Sequence, residues 1–495
     1  MNPTKILTLI SLSFLLIALT SASTPVFGQG ADPGLRPPIK DGADKDADVK
    51  HTSPSSVLSG NPIKLNVSKD DLSSDLPSLD EPLSLKDAVK VGLKNNLDYL
   101  ASEQEWSGSK YLARAALARF GPRASFSVFY ADSSINQMLR PMDGIVNPAP
   151  MQPIVSGNSL HLLFAGYQPI FTGGNLMGGY RAARAIEKQS LATYQSDRIK
   201  AALKVKESYW KAAYDLAKLQ VDEDYVKYRK WSVSLVKARY KAGKVPRADL
   251  LREEAELSKA QQLVNEGYRE YNTSLLDLKV AMGVSIGSQL SLSDELVFEK
   301  VQSTYENYLK EAKLARPEIM QADEKVKETR ARFMQIRSKY SPQLGLFGVA
   351  SNATGRTPGI SGNVNGQWGG TVAVQGAITL FDSGERFNEL RSARRQVRKA
   401  EIDRRSVHLN VAKEVSQGWI DVDIAERNVG LARTEVESAR EDERLLSKRY
   451  EVGKAIELDY FQSGVKYFEA RLRLLESIYQ YRLAEAKLVW ASGNV

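Results

Sequence analysis

The chain has 495 residues, with 68 Lys and Arg against 59 Asp and Glu, a net charge of +9. That excess is mild for the length and is mixed along the chain, which argues against a nucleic-acid partner, because such proteins concentrate their basic residues on one face. There is no cysteine, which excludes disulfides, thiolate metal sites, a Cys nucleophile and the acylated cysteine of a bacterial lipoprotein.

Lys5 precedes an apolar run over residues 6–19, followed by small and polar residues. This is the form of a secretory signal peptide, assigned to residues 1–28, with cleavage expected between Ala22 and Gly28. The run is too short to favour a membrane-spanning helix, and no later segment is apolar for long enough to form one. Residues 29–82 carry prolines from Pro33 to Pro82 in an Asp/Ser/Gly-rich background. So few large apolar residues cannot build a core, and the segment reads as a flexible linker.

Helical sequence follows over 84–119, then two β-like runs, 124–130 and 160–171, around a loop with four prolines. Residues 180–242 contain no Gly and no Pro, and a continuous helix there is about 95 Å long. Gly243 then permits the left-handed turn that ends a helix, Pro246 suits the start of the next, and 247–282 is helical again.

The same order recurs. A helix is expected over 318–339, strands over 344–350 and 371–381, a long helix over 385–452 and a returning helix over 454–492. "IFTGGNLMGGYRAAR" (170–184) aligns with "LFDSGERFNELRSAR" (380–394), and "RYKAGKVPRADL" (239–250) with "RYEVGKAIELDY" (449–460), each 210 positions apart. The chain therefore reads as two tandem repeats, 83–290 and 291–495, rather than as a short-period solenoid. In the second long helix Val415, Trp419, Val422, Ala425, Val429, Ala432, Val436 and Ala439 step by four and three, a coiled-coil seam. A returning helix stacked on the helical piece before the strands roughly matches the long helix in length, giving each repeat one continuous and one composite path.

The strands suit a membrane β-barrel, the alternative being a soluble hairpin packed on the helices. Tyr130, Tyr167, Phe171, Trp368 and Phe381 gather near strand ends, where aromatic rings favour a bilayer interface. Four strands cannot close a barrel and an open edge in lipid is costly, so if these strands enter a membrane several chains must share one barrel. His51, His161 and His408 are isolated, "TGGNLMGG" lacks the Lys and Ser/Thr of a phosphate loop, and no cofactor or metal is implied. The basic residues over 391–399 read as a solvated helix face.

On these repeats, corners and turn phrases, over about residues 83–495, the chain resembles the TolC-like outer-membrane efflux proteins. The resemblance implies a homotrimer with a 12-stranded β-barrel, four strands per chain, and a long coiled-coil α-barrel through the periplasm. It implies a passive exit duct for small molecules, docked by a periplasmic membrane-fusion adaptor and driven by an inner-membrane pump, with no catalysis. Type I protein secretion, or a coiled-coil envelope scaffold without a pore, are the competing readings.

By position, the resemblance assigns the periplasmic gate to Asp249, Tyr450, Lys454, Glu457 and Asp459. Asp459 is the candidate for an acidic ring. The latch Arg of some members falls on Ala455, so a latch here must differ, through Lys454 or Glu457. The adaptor-docking tips are Tyr240, Gly243, Lys244, Arg247 and Gly453. Outer-membrane lipid surrounds the aromatic set.

Overall fold

The computed structural model describes residues 82–137, 155–356 and 363–495. The expected leader and all but the last residue of the expected linker lie outside these. The described elements run β1 (Pro82–Leu83), α1 (Leu85–Asn95), α2 (Leu97–Ala118), β2 (Arg123–Gln137), β3 (Val155–Phe171), α3 (Asn175–Lys241) and α4 (Arg247–Met282). The second repeat follows as β4 (Ser291–Leu292), α5 (Tyr305–Ala315), α6 (Pro317–Arg337), β5 (Gln343–Arg356), β6 (Asn363–Ala377), α7 (Glu385–Glu451) and α8 (Glu457–Ala491).

The two long helices, α3 and α7, have 67 residues each, or about 100 Å. Both start just after a glycine in the left-handed region, Gly174 (φ 98°) and Gly384 (φ 87°). Helices this long need a partner along their whole length, and each finds one in a path of two stacked pieces. Antiparallel to α3, α4 ends at Gly283 (φ 65°) directly against the start of α2. There Asn96 caps α2 by accepting from Tyr99 N at 3.0 Å, and its Nδ2 donates to Ala281 O at 3.0 Å. In the second repeat α8 ends at Gly493 (φ 86°) against Ala315 and Arg316. Arg316 donates to Trp490 O at 3.2 Å, lies over the Trp490 ring at 4.5 Å and pairs with Glu414. The composite path expected from length alone is thus a real splice, made once by a neutral amide and once by a buried guanidinium.

Small residues bring the helices together. Ala182, Ala185, Ala192, Ala201 and Ala202 are buried on α3, and a Cβ at Gly178 would meet Ala331 O of α6 at 2.8 Å. On α7 the seam residues Val415, Val422, Ala425 and Val429 are buried in one cluster with Tyr481 and Leu488 of α8, and Ala432 is buried beyond them. A second core gathers Val205, Tyr209 and Leu278 beside α1. The parallel pairing of Pro82–Leu83 with Ser291–Leu292 ties together the starts of the two repeats, and Tyr209 Oη donates to Leu83 O at 2.9 Å. Pro82, expected as the end of the linker, is therefore part of the folded unit.

Two helical expectations change in detail. The helix expected over 84–119 is broken at Asn96, where the α4 terminus is received. The piece before β5 gains α5, whose equivalent in the first repeat is α1.

The strands form one antiparallel sheet in the order β2-β3-β5-β6. All four run further at one end or both than the apolar pattern indicates, because backbone pairing continues through the polar residues beyond it; β6 begins at Asn363. At its other end β6 stops earlier: Ala377 pairs with Gln343, the first residue of β5, and Pro342 before it has no N–H to offer. Ile378, Leu380 and Phe381, expected inside that strand, lie past its end and are exposed.

Candidate functional site

The turn ends of the two hairpins carry the assigned residues, and their backbones are near copies. Gly243 has φ 70° and Gly453 φ 71°. In the first turn Gly243 N donates to Tyr240 O and Lys244 N to Arg239 O, both at 2.9 Å. In the second, Gly453 N donates to Tyr450 O at 3.0 Å and Lys454 N to Arg449 O at 2.7 Å. This closure satisfies the last carbonyls of each long helix and needs a residue without a Cβ at the turn.

The side chains on these turns differ. Arg239, at the end of α3, donates from Nη1 to Glu457 Oε2 on α8 at 2.7 Å, and its guanidinium sits 4.8 Å over the Tyr450 ring of α7. Tyr450 stacks on Tyr460 with centroids 5.2 Å apart. The Tyr450 hydroxyl is buried without a hydrogen bond of good geometry. Burial, then the Glu457 carboxylate beside it, raise its pKa. Under this link Val236, Leu250, Tyr460 and Phe461 form a small core shared by both hairpins. Of the expected latch residues, Tyr450 and Glu457 come together. Lys454 is exposed and forms no ion pair among the described residues. Arg239 was not singled out from sequence, although it opens the repeated phrase, and that repetition was the available signal.

Asp459 lies in the first turn of α8, exposed and without an ionic partner among the described residues. Asp249, in the first turn of α4, approaches Arg252 at 3.4 Å. Tyr240, Lys244 and Arg247 are exposed, as are Leu251, Val452, Ile456 and Leu458. The ends of the hairpins thus offer apolar side chains as well as cations.

Further along, α3 and α8 join the hairpins through rings: Tyr214 on Tyr479 (4.9 Å) and Tyr225 on Phe468 (5.3 Å). Next to this seam Asp222 is 4 % exposed, and one carboxylate oxygen has no hydrogen bond. Desolvation lifts its pKa to about 6, with Lys218 opposing and Glu270 of α4 reinforcing.

At the other end, the sheet has one apolar face. Phe126, Val128, Tyr130, Phe164, Leu346, Trp368, Val372 and Val374 share it by register and are exposed. Phe126, Phe164 and Trp368 form a row, with centroids 4.5 and 5.9 Å apart. The expected aromatic set divides here. Tyr130 and Trp368 lie on the apolar face, and the irregularity after Pro169 turns Phe171 onto it, opposite Leu344. Tyr167 lies on the other face with Ser125, Thr371 and Gln375, its ring filling the space over Gly345. Phe381 is outside the sheet and 83 % exposed. No helix among the described residues is long and apolar enough to cross a membrane.

The fold is that of solved outer-membrane channels. The Campylobacter jejuni CmeC outer membrane channel superposes with a TM-score of 0.70 at 17 % identity, covering 83 % of this chain and 85 % of that one. The open state of the Neisseria gonorrhoeae MtrE outer membrane channel gives 0.69 at 15 % identity, over 83 % and 89 %. A membrane protein from Pseudomonas aeruginosa gives 0.69 at 18 % identity, over 83 % and 93 %. Nodulation protein T of Rhizobium leguminosarum bv. trifolii is 24 % identical over 290 residues, a match that spans 57 % of this chain and 59 % of that protein's length. The outer membrane efflux protein family model matches residues 89–284 and 308–494, one segment in each repeat, and the chain belongs to that family.

Proposed function

We propose that three copies of this chain form the outer-membrane exit duct of a tripartite efflux system for small molecules. The observation that carries this reading is the open sheet, four strands with one apolar face and, among the described residues, unpaired outer edges on β2 and β6. An unpaired edge in lipid leaves backbone groups without partners, each costing several kcal/mol. Pairing β6 of one copy with β2 of the next makes 3 × 4 = 12 strands and removes every edge. The apolar face then meets outer-membrane lipid, and the long helices enclose a periplasmic tunnel. Conduction is passive, needs no cofactor, and draws its energy from an inner-membrane pump.

The hairpin tips are the gate and the docking end. Arg239, Glu457 and Tyr450 hold the second hairpin against the first in the closed state. Asp459, repeated by symmetry, forms an acidic ring that attracts cations and repels anions; Asp249 and Lys454 flank it. Tyr240, Lys244 and Arg247, presented by the turns at Gly243 and Gly453, receive a periplasmic membrane-fusion adaptor together with the exposed Val452 and Ile456. Planar-bilayer recording of the detergent-purified protein tests the duct. Discrete conductance steps and a heat-resistant three-chain oligomer are expected; absence of both leaves an envelope scaffold. Block by multivalent cations that is undiminished in Asp459→Ala removes Asp459 from the ring.

A further inference from the structure

The seam between the hairpins holds a polar atom with nothing to bond. Tyr228 of α3 lays its ring against Phe468 of α8 (5.6 Å) and beside Trp231 (5.9 Å). Its hydroxyl ends over Gly464 of α8, where an added Cβ would overlap it. That oxygen is buried and makes no hydrogen bond among the described residues. Burial holds the phenol neutral, with Tyr460 adding to the effect and Arg229 opposing it. The carboxylates around it do not serve it. Glu253 of α4 is taken by Arg229 (3.3 Å) and Ser232 (2.7 Å), and Glu443 of α7 is itself pushed toward its neutral form by burial.

A tyrosine hydroxyl that loses water and gains no partner disfavours the state in which this happens. Here that state is α8 lying against α3. Phenylalanine would fill the ring's place without the cost, and residue 464 is a glycine, which allows the hydroxyl to be trapped.

We propose that Tyr228 and Gly464 form a preload on the junction between the two hairpins. While they are joined the hydroxyl is unbonded; when α8 moves off α3, water reaches it. The joined state is therefore held by the Arg239–Glu457 pair and the ring contacts against a standing opposing force, and a modest push at the tips suffices to part the hairpins. This rests on the reading of the tips as a gate, and adds which residues set its balance.

Because the chain has no cysteine, Lys237→Cys on α3 and Glu451→Cys on α7, both exposed sites, accept spin labels cleanly. Pulsed EPR is run on full-length protein, with labelled chains diluted into unlabelled ones, and planar-bilayer recording in parallel. Tyr228→Phe is expected to move the joined-to-parted ratio about tenfold toward joined, the scale of one unmade buried hydrogen bond. Gly464→Ala is expected to move it toward parted, because the added methyl displaces the ring. Open probability follows in each case. Unchanged distances in Tyr228→Phe, or a shift toward parted, overturn the proposal. If Gly464→Ala fails to assemble, Tyr228→Phe alone decides. If no protein conducts, wild type included, while the EPR shift persists, the channel reading falls and the preload stands.

Discussion

Arg239 and Arg449 hold the same place in the two copies of the tip phrase, yet among the described residues Arg239 alone of the two forms an ion pair with the other hairpin. The reason is the residue at the start of the returning helix: Glu457 in the second repeat stands where the first has Arg247. Arg239→Ala removes a partly exposed ion pair, about 0.5–1 kcal/mol, and a cation–π contact of similar size. Open probability in single-channel recordings should rise about 5- to 30-fold, and the exchange Arg239→Glu with Glu457→Arg should recover part of it. Asp222 supplies a pH dependence. Its folded pKa, about 6, lies above the ordinary value of 3.8, so the folded state binds the extra proton between these values. The contribution of Asp222 to stability is then greatest below pH 4, falls as pH rises to about 6, and stays low above. Asp222→Asn should flatten that slope and raise stability at pH 7.5 by about 1–2 kcal/mol, read from thermal unfolding between pH 4 and 7.5. An unchanged slope would mean that Lys218 compensates the charge fully.

At the scale of elements, two splices let short helices act as long ones. Both depend on a glycine with positive φ packed against another helix's backbone, Gly283 on Asn95 and Gly493 on Ala315. Gly283→Ala adds conformational strain of about 1 kcal/mol and a backbone overlap, so a loss of 2 kcal/mol or more is expected in thermal unfolding. Gly430→Ala is the control: that glycine is mid-helix with open space around it, and the change should stabilise by about 0.5–1 kcal/mol. The glycines that end the long helices, Gly243 and Gly453, were legible in the sequence because each repeat has one at the matching position. The break at Asn96 was not, since Asn is tolerated within a helix and nothing local announces that another helix ends there.

For the whole molecule, the faces of the sheet decide where it can reside. Val372 is 78 % exposed on the apolar face, and Thr371 points the other way. Val372→Arg should cost about 2–4 kcal/mol at mid-membrane depth and deplete the protein from the outer-membrane fraction. Thr371→Arg should insert normally and shift ion selectivity toward anions. Equal behaviour of the two would contradict the assignment of faces. The alternation of Val372 and Val374 within β6 marks one face as apolar, although the same pattern carried on through Ile378 and Leu380 overruns the strand, and Tyr167 shows the limit of such reading. An aromatic residue near a strand end looks the same in sequence whether it meets lipid or covers a glycine on the opposite face.

By itself the sequence determined the duplication, the long helices, the turns between them and the strand pairs, because each is written in local signals: spacing of apolar residues, absence of Gly and Pro, and glycine where φ must be positive. Which side chains meet across the hairpins was decided only by tertiary packing. Arg239 with Glu457, Tyr228 over Gly464 and Asn96 under Ala281 are separated by 218, 236 and 185 positions. No local pattern constrains such pairs; they follow from the lengths and crossings of helices that fix their register only when packed together.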